Sequence, residues 1–170
     1  MELPTLPPTL EPAVRPVAIL FTVLAFAAAA PSAIQAQLTD TKVLTSEAVK
    51  NAMAAAEAEA LANGWRLSIA IVDAHGELLA FHRMDGASLP SIDIAQAKAR
   101  TSARGRQPSK AYADRIAGGN LATLALDYMP LQGAVPIIVD GVLVGAIGSS
   151  GAQSAQDEQV SMAGAAAIHP

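Results

Sequence analysis

Two pairs of β-strand segments, separated by helical sequence, constrain the fold of this 170-residue chain most strongly. The first pair covers residues 67–73 and 77–84, joined by an Asp-Ala-His-Gly turn. The second covers residues 135–140 and 142–149 and turns at Asp140-Gly141, a dipeptide that favours a two-residue hairpin loop. Strands joined by such short turns run antiparallel, so the chain is predicted to contain an antiparallel sheet.

Helical segments surround and separate the two hairpins. Thr45 or Ser46 is a predicted N-cap for an Ala-rich helix to about residue 62, and Asn63-Gly64 supplies its end. Further helices are predicted over residues 91–104, 109–117 and 154–168, with one or two additional turns within 120–128. This order predicts a single α+β domain in which helices cover an antiparallel sheet, and it argues against a parallel nucleotide-binding sheet.

The amino-terminal region has the features of an export signal. Residues 17–30 are apolar apart from Thr22, a length that suits a secretory core and is short for a membrane-spanning helix. We expect a signal peptide over residues 1–36, cleaved after Ala36, and a single domain over residues 37–170 in the periplasm or outside the cell. Because Glu2 and Glu11 are unusual ahead of such a core, translation is expected to start near Val14.

Charge and cysteine content exclude several classes of protein. Removing Glu2, Glu11 and Arg15 leaves 13 acidic and 10 basic residues, which argues against a nucleic-acid-binding protein. The basic residues concentrate between Lys98 and Arg115. This cluster is either a solvated helix face or a binding site for an anionic ligand group or an acidic partner surface. The absence of cysteine excludes disulfides, thiolate metal sites and thioether-linked haem.

Residues at the end of the first hairpin are candidates for binding. His82 shares a strand face with Ala80 and Met84, where it is a hydrogen-bonded structural residue, an iron ligand or a general base. Arg83 and Asp85 form either a salt bridge or a carboxylate-binding fork oriented by Asp85. Lys98, on the next predicted helix, could complete a positively charged binding site with Arg83.

Glycines mark the return strand of the second hairpin. Gly145, Gly148 and Gly151 lack the strand, turn and helix context of a dinucleotide-binding fingerprint. They indicate instead that a helix, another subunit or a flat ligand approaches this strand closely.

Taken together, these motifs resemble the GlcG/HbpS family of haem-binding proteins, a domain type also found at the end of some corrinoid adenosyltransferases. The resemblance covers residues 44–168, and the residues that carry it are Val72-Asp73-x-x-Gly76, Arg83-Met-Asp-Gly-Ala87, Lys98-Ala99-x-Thr101, Val135-Pro136-Ile137, Gly145-Ala-Ile-Gly-x-Ser-Gly151 and Gln156-Asp157-Glu158. The resemblance implies a PAS-like or profilin-like sandwich with an antiparallel sheet of about five strands between helices. It also implies haem binding and assembly into dimers or larger oligomers, up to octamers.

Two features depart from the family pattern. Some members are thought to hold haem through a histidine in the first helix, and residues 44–62 contain none. Glu57 and Glu59 are two residues apart, so the Glu-x-x-Glu iron motif of the sensor members is absent. A weak oxygen ligand from Thr101 or from a neighbouring subunit is an alternative to a histidine.

The leading expectation is an exported, oligomeric haem-binding protein that scavenges or senses haem or assists its degradation. The residues expected to contact haem are His82, Arg83, Asp85, Lys98, Thr101, Gly145, Gly148 and Gly151, with His82 as the candidate iron ligand. One alternative is an enzyme on a small carboxylated metabolite that uses Arg83 with His82 or Asp85. Another is a non-catalytic oligomeric sensor or scaffold subunit, and the sequence leaves the question of catalytic turnover open.

Overall fold

A computed structural model of the protein describes residues 41–169. The expected signal peptide and the expected start near Val14 lie outside the described residues. Within residues 41–169, no helix has the length and apolar character needed to cross a membrane.

The described chain alternates hairpins with helices in the expected order. Its elements are α1 (Ser46–Ala62), β1 (Ser68–Asp73), β2 (Leu78–Arg83), α2 (Ser91–Gly105), α3 (Lys110–Ala117), a 3₁₀ helix (Leu121–Ala125), β3 (Ala134–Val139), β4 (Val142–Ser150) and α4 (Ser154–Ala166). The Thr45 hydroxyl accepts a hydrogen bond from the Ala48 amide, which confirms the expected N-cap of α1. Ser109 precedes α3, but its hydroxyl accepts from the amide of Ala134 and does not cap the helix.

The sheet is antiparallel, as predicted, and has the strand order β2-β1-β4-β3. It contains four strands among the described residues, so the expected number of about five was slightly too high. Asp140 and Gly141 both have positive φ, 51° and 76°, as a two-residue hairpin turn of the mirror-image type requires. β2 and β3 form the two edges of the sheet.

Helices cover both faces of the sheet and create two apolar cores. α1 and α4 cover one face, where the side chains of Ile69, Ile71 and Ile147 are fully buried. α2 covers the other face, where the core consists mainly of alanines, including Ala95 and Ala99. The protein is therefore a three-layer α+β sandwich, and its alanine-rich side brings α2 close to the sheet.

A buried ion pair connects the two helical layers. Lys98 of α2 donates to the Asp157 carboxylate of α4 at 2.8 Å and to the Ser149 carbonyl at 3.2 Å. Only 2% and 3% of the Lys98 and Asp157 side chains are exposed. Gly133 leaves the space for this pair, because a Cβ at its position would lie 2.6 Å from Lys98 Nζ.

The electrostatics of Asp157 follow from its burial. Loss of water raises the pKa of the Asp157 carboxyl, although the Lys98 ammonium and the Ala152 amide favour the charged form. Breaking such a pair strands a charge in the interior, which costs more than the pair itself contributes.

Replacing Asp157 alone should therefore be more damaging than replacing both partners. We expect Asp157→Ala to lower the free energy of unfolding by about 3–5 kcal/mol, because Lys98 is left buried without a counter-ion. The double variant Lys98→Met/Asp157→Leu strands no charge and should lose less. Denaturant unfolding measures both, with Glu158→Gln as a control for charge loss at the adjacent position. A double variant as unstable as Asp157→Ala would contradict this interpretation.

The turn between β1 and β2 depends on a carboxylate. The Asp73 carboxylate accepts the amide N–H groups of His75 and Glu77 at 2.8 and 2.9 Å. Partial burial acts to raise the pKa of Asp73, but these N–H groups and the nearby His75 outweigh it and hold the pKa below its ordinary value. The charged form thus favours the folded turn.

The pH dependence of this contribution has a definite sign. Because the folded pKa is lowered, the stabilisation is complete above the pKa of an unfolded aspartate, about 3.9, and is lost as pH falls through the folded value. Asp73→Asn should therefore be less stable than wild type at pH 7, and the difference should shrink below about pH 4. Denaturant unfolding of both at several pH values tests this, with Asp127→Asn as the charge-matched control. A difference that is independent of pH would contradict it.

Candidate functional site

A groove runs between α1 and the edge strand β2. We call it the α1–β2 groove. The residues that line it are Leu44, just before α1, then Ser46, Val49, Lys50, Met53, Ala54, Glu57 and Leu61 of α1, Leu79, Ala80, Phe81 and His82 of β2, and Arg66, Met84 and Asp85 nearby. Three adjoining hollows of about 230, 330 and 260 Å³ form it. Neighbouring hollows share lining residues: Glu57 and His82 line two of them, and Val49, Lys50 and Ala80 line another two.

Helical and strand periodicities together explain which residues line the groove. Val49, Met53 and Glu57 recur every four residues on α1, so they lie on one side of that helix. Ala80 packs against the core on the α1 side of the sheet and Phe81 against the core on the α2 side. His82 alternates with Phe81 on β2, so it shares the face of Ala80 that α1 covers. The sequence prediction that His82 shares a face with Ala80 and Met84 is therefore confirmed.

His82 lies midway along the groove and contacts α1. Its Nε2 atom is 3.5 Å from Oε1 of Glu57. The His82 and Glu57 side chains are 43% and 39% exposed, so both remain accessible from solvent. An imidazole in this position can donate a hydrogen bond, accept a proton or bind a metal ion.

Basic side chains lie towards opposite ends of the groove. Lys50 lines the hollows that extend towards Leu44 and Leu79, and Arg66 lines the hollow that contains Met84 and Asp85. Arg66 also donates to the backbone carbonyl of Asp85 at 3.1 Å. The groove is thus mainly apolar in the two hollows that Lys50 lines and mainly polar in the hollow that Arg66 lines, where the carboxylates of Glu57 and Asp85 also lie. The His82 imidazole lies between these two parts, with a cation in each.

Arg83 projects away from this groove. Its guanidinium donates two hydrogen bonds, of 3.1 and 2.7 Å, to the carbonyl oxygen of Ala87, and so holds the loop after β2. No ion pair joins Arg83 to Asp85 in the described part of the chain. An enzyme that uses Arg83 with His82 would need both side chains in one pocket, whereas they project from opposite faces of β2.

Lys98 and Thr101 lie on α2, in the layer opposite α1. Lys98 is committed to the buried pair with Asp157. The Thr101 hydroxyl donates to the Ala97 carbonyl and accepts from the amide of Met129, so it attaches the segment after the 3₁₀ helix to α2. The structure thus gives both residues structural contacts, and their predicted haem contacts stay predictions.

The three glycines are required by close packing within the chain. A Cβ at Gly148 would lie 2.6 Å from the Ala99 amide nitrogen, so α2 is the element that approaches β4 there. A Cβ at Gly145 would lie 2.4 Å from the Val72 carbonyl, and one at Gly151 would lie 2.7 Å from the Leu67 Cα. Of the three approaches that the sequence left open, a neighbouring helix is present at Gly148.

A second hollow, of about 380 Å³, lies beside the beginning of α1. It is lined mainly by apolar side chains, among them Val43, Leu44, Val139 and Ile168. Of its polar neighbours, Lys42 is bonded to Asp140 and the Thr45 hydroxyl caps α1, while His169 lines the hollow from beyond the end of α4. The α1–β2 groove is the better candidate because strand β2 holds the half-exposed His82 in it, whereas His169 lies beyond the end of α4, in neither a helix nor a strand.

Among residues 41–169, no group of three or more His, Asp or Glu side chains is placed to hold a bare metal ion. A metal that arrives within an organic ligand needs fewer protein donors, and His82 could supply one.

Three charged groove residues were not singled out as contacts from the sequence: Lys50, Glu57 and Arg66. Glu57 was considered only for its spacing from Glu59. The four-residue period from Val49 through Met53 to Glu57 could have placed it on the sheet side of α1. Arg66 lies in the connection between α1 and β1, where no helical or strand periodicity indicates which way its side chain points.

Comparison with known proteins identifies relatives of this chain. A sequence profile of the family described as haem degrading protein HbpS-like matches residues 44–166. Protein GlcG of Escherichia coli strain K12 is 42% identical over 112 residues, which are 65% of this chain and 84% of GlcG.

Solved structures share the same architecture. A double mutant of Streptomyces reticuli HbpS is 36% identical, with a TM-score of 0.71 over 77% of this chain and 90% of that one. PduOC in complex with haem is 26% identical, with a TM-score of 0.70 over 75% of this chain and 96% of that one. With its profile match, its identity to GlcG and its HbpS-like fold, the chain belongs to the GlcG/HbpS family.

Proposed function

We propose that this protein is an exported haem-binding protein that binds haem in the α1–β2 groove, with His82 as the iron ligand. Two findings support haem as the ligand: the family description refers to haem degradation, and the similar PduOC structure is a haem complex. The α1–β2 groove is the proposed binding site. Scavenging of haem, sensing of haem and assistance to its degradation all begin with the binding of haem to the protein.

One observation carries the proposal: the half-exposed imidazole of His82 lies where two hollows of the groove meet, beside apolar side chains such as Met53 and Met84 and with a cation towards each end of the groove. Haem is flat, apolar at its rim and anionic at two propionates, with iron at its centre. The donors in the groove match that distribution of chemistry.

Each groove residue has a role in this proposal. Val49, Met53 and Ala80 would exclude water from the macrocycle, and Lys50 and Arg66 would attract the propionates. His82 would hold the iron through a ring nitrogen, and haem would supply the redox and oxygen chemistry that such a ligand tunes. Arg83 and Lys98 are not assigned to the propionates here, because neither lines the groove: Arg83 projects from the opposite face of β2 and Lys98 is buried in its pair with Asp157.

Export and self-association are further parts of the proposal. Export rests on the composition of residues 1–36 and places the protein in the periplasm or outside the cell. Self-association is supported by exposed leucines: Leu78 and Leu79 are 48% and 44% exposed on edge strand β2, beside the groove. A second copy covering this edge would shield apolar surface and the open side of a bound haem.

Haemin titration tests the proposed binding. We expect wild-type protein to shift the Soret band of haemin at stoichiometric concentrations. His82→Ala should weaken binding about tenfold or more, because the iron loses its protein ligand. The measurement is absorbance against haemin concentration for each variant.

His75→Ala is the matched control, because His75 lies in the turn between β1 and β2 and does not line the groove. Its binding should equal that of wild type. Absence of a Soret shift in wild type would reject haem binding. Equal binding by His82→Ala and wild type would reject His82 as the ligand.

A further inference from the structure

The contact between Glu57 and His82 crosses the α1–β2 groove and divides it. Both residues line the hollow that contains Arg66 and Met84, and both line the hollow that contains Met53 and Ala80. Nε2 of His82 and Oε1 of Glu57 are 3.5 Å apart, so a flat ligand that lies across both hollows within the groove would meet this contact. The nitrogen that faces Glu57 is Nε2 of His82, the atom proposed to bind iron.

The Glu57–His82 contact is weak enough to open. Both side chains are partly exposed, and ion pairs of this kind contribute little to stability. Within residues 41–169, the Glu57 carboxylate has no other ion pair or hydrogen bond that would hold it across the groove. A change in the Glu57 rotamer is therefore enough to separate the two groups.

Glu59 provides an internal comparison. It is two residues from Glu57 on the same helix, so it projects to a different side. Its carboxylate accepts hydrogen bonds from Asn63 and Gln159 at 3.1 and 2.6 Å, away from the groove. The two glutamates carry the same charge, but only Glu57 contacts His82.

We propose that Glu57 is a gate that the ligand displaces: its carboxylate lies 3.5 Å from Nε2 of His82 and must swing aside before a planar, anionic metal macrocycle enters. This inference rests on the proposed function and adds a positioning residue that controls entry. A neutral imidazole carries one ring proton, and the carboxylate favours that proton on Nε2. Once Glu57 leaves, the proton can reside on Nδ1 by exchange with solvent, which frees the Nε2 lone pair for the metal.

Stopped-flow mixing with haemin measures the gate directly. Glu57→Ala should raise the association rate about two- to fivefold over wild type, the size expected when one exposed ion pair is lost. Glu57→Gln retains an acceptor opposite His82 and should have a smaller effect. Glu59→Ala removes the same charge without opening the groove, so it reports the general effect of charge on an anionic ligand.

Imidazole ¹⁵N chemical shifts in the haem-free protein give a second measurement that requires no ligand. In wild type the His82 proton should lie on Nε2, and in Glu57→Ala its population should move towards Nδ1. Glu59→Ala should leave these shifts unchanged.

The outcomes separate this inference from the proposed function. A wild-type Soret shift with equal rates for Glu57→Ala and Glu59→Ala would overturn the gate and leave haem binding intact. Slower or weaker binding by Glu57→Ala would overturn it as well, because Glu57 would then help to hold the ligand. No Soret shift in any variant would overturn both the function and the gate, whereas the ¹⁵N shifts would still report the Glu57–His82 contact.

Discussion

The buried pair of Lys98 and Asp157 is the interaction on which the arrangement of layers depends. Lys98 extends from α2 on one face of the sheet to Asp157 at the beginning of α4 on the other, and it also bonds to the end of β4. Removing two charges from water is costly, so the pair is stable only because its geometry and its additional hydrogen bonds are good. Among the described residues, no buried polar side-chain atom lacks a partner. The position of each helical layer is thereby linked to the other.

Close packing on the central strands leaves the binding groove at the edge of the sheet. Gly148 lets α2 approach β4, and Gly164 of α4 lies against Ile147 and the backbone of α1. These contacts fill both faces of β1 and β4 with protein. The edge strand β2 is covered less completely, since Leu78 and Leu79 remain exposed. A ligand that needs apolar surface and an accessible imidazole therefore finds both beside β2.

Local sequence patterns predicted the elements well, because each hairpin and helix has its own signal. The Asp140-Gly141 turn, the Thr45 cap and the alternation around His82 all depend on neighbouring residues, and the structure confirms each. The pairing of Lys98 with Asp157 could not be predicted in this way, since the two are 59 positions apart. Asp157 lies in the first turn of α4, where an acidic residue already suits the helix dipole, so its sequence position does not point to a distant partner.

The candidate site was predicted only in part for the same reason. The residues that share a strand face with His82 could be predicted, because side chains on β2 alternate between the two faces of the sheet. Its partner Glu57 could not be predicted, because it belongs to a helix whose position over β2 does not follow from the sequence.

A crystal structure of the protein with bound haemin is the most direct measurement. If haem binds in the α1–β2 groove, the porphyrin will lie between α1 and β2, with a nitrogen of His82 bound to the iron and the Glu57 side chain turned away from His82. A porphyrin bound elsewhere, or an iron atom without His82, would contradict it.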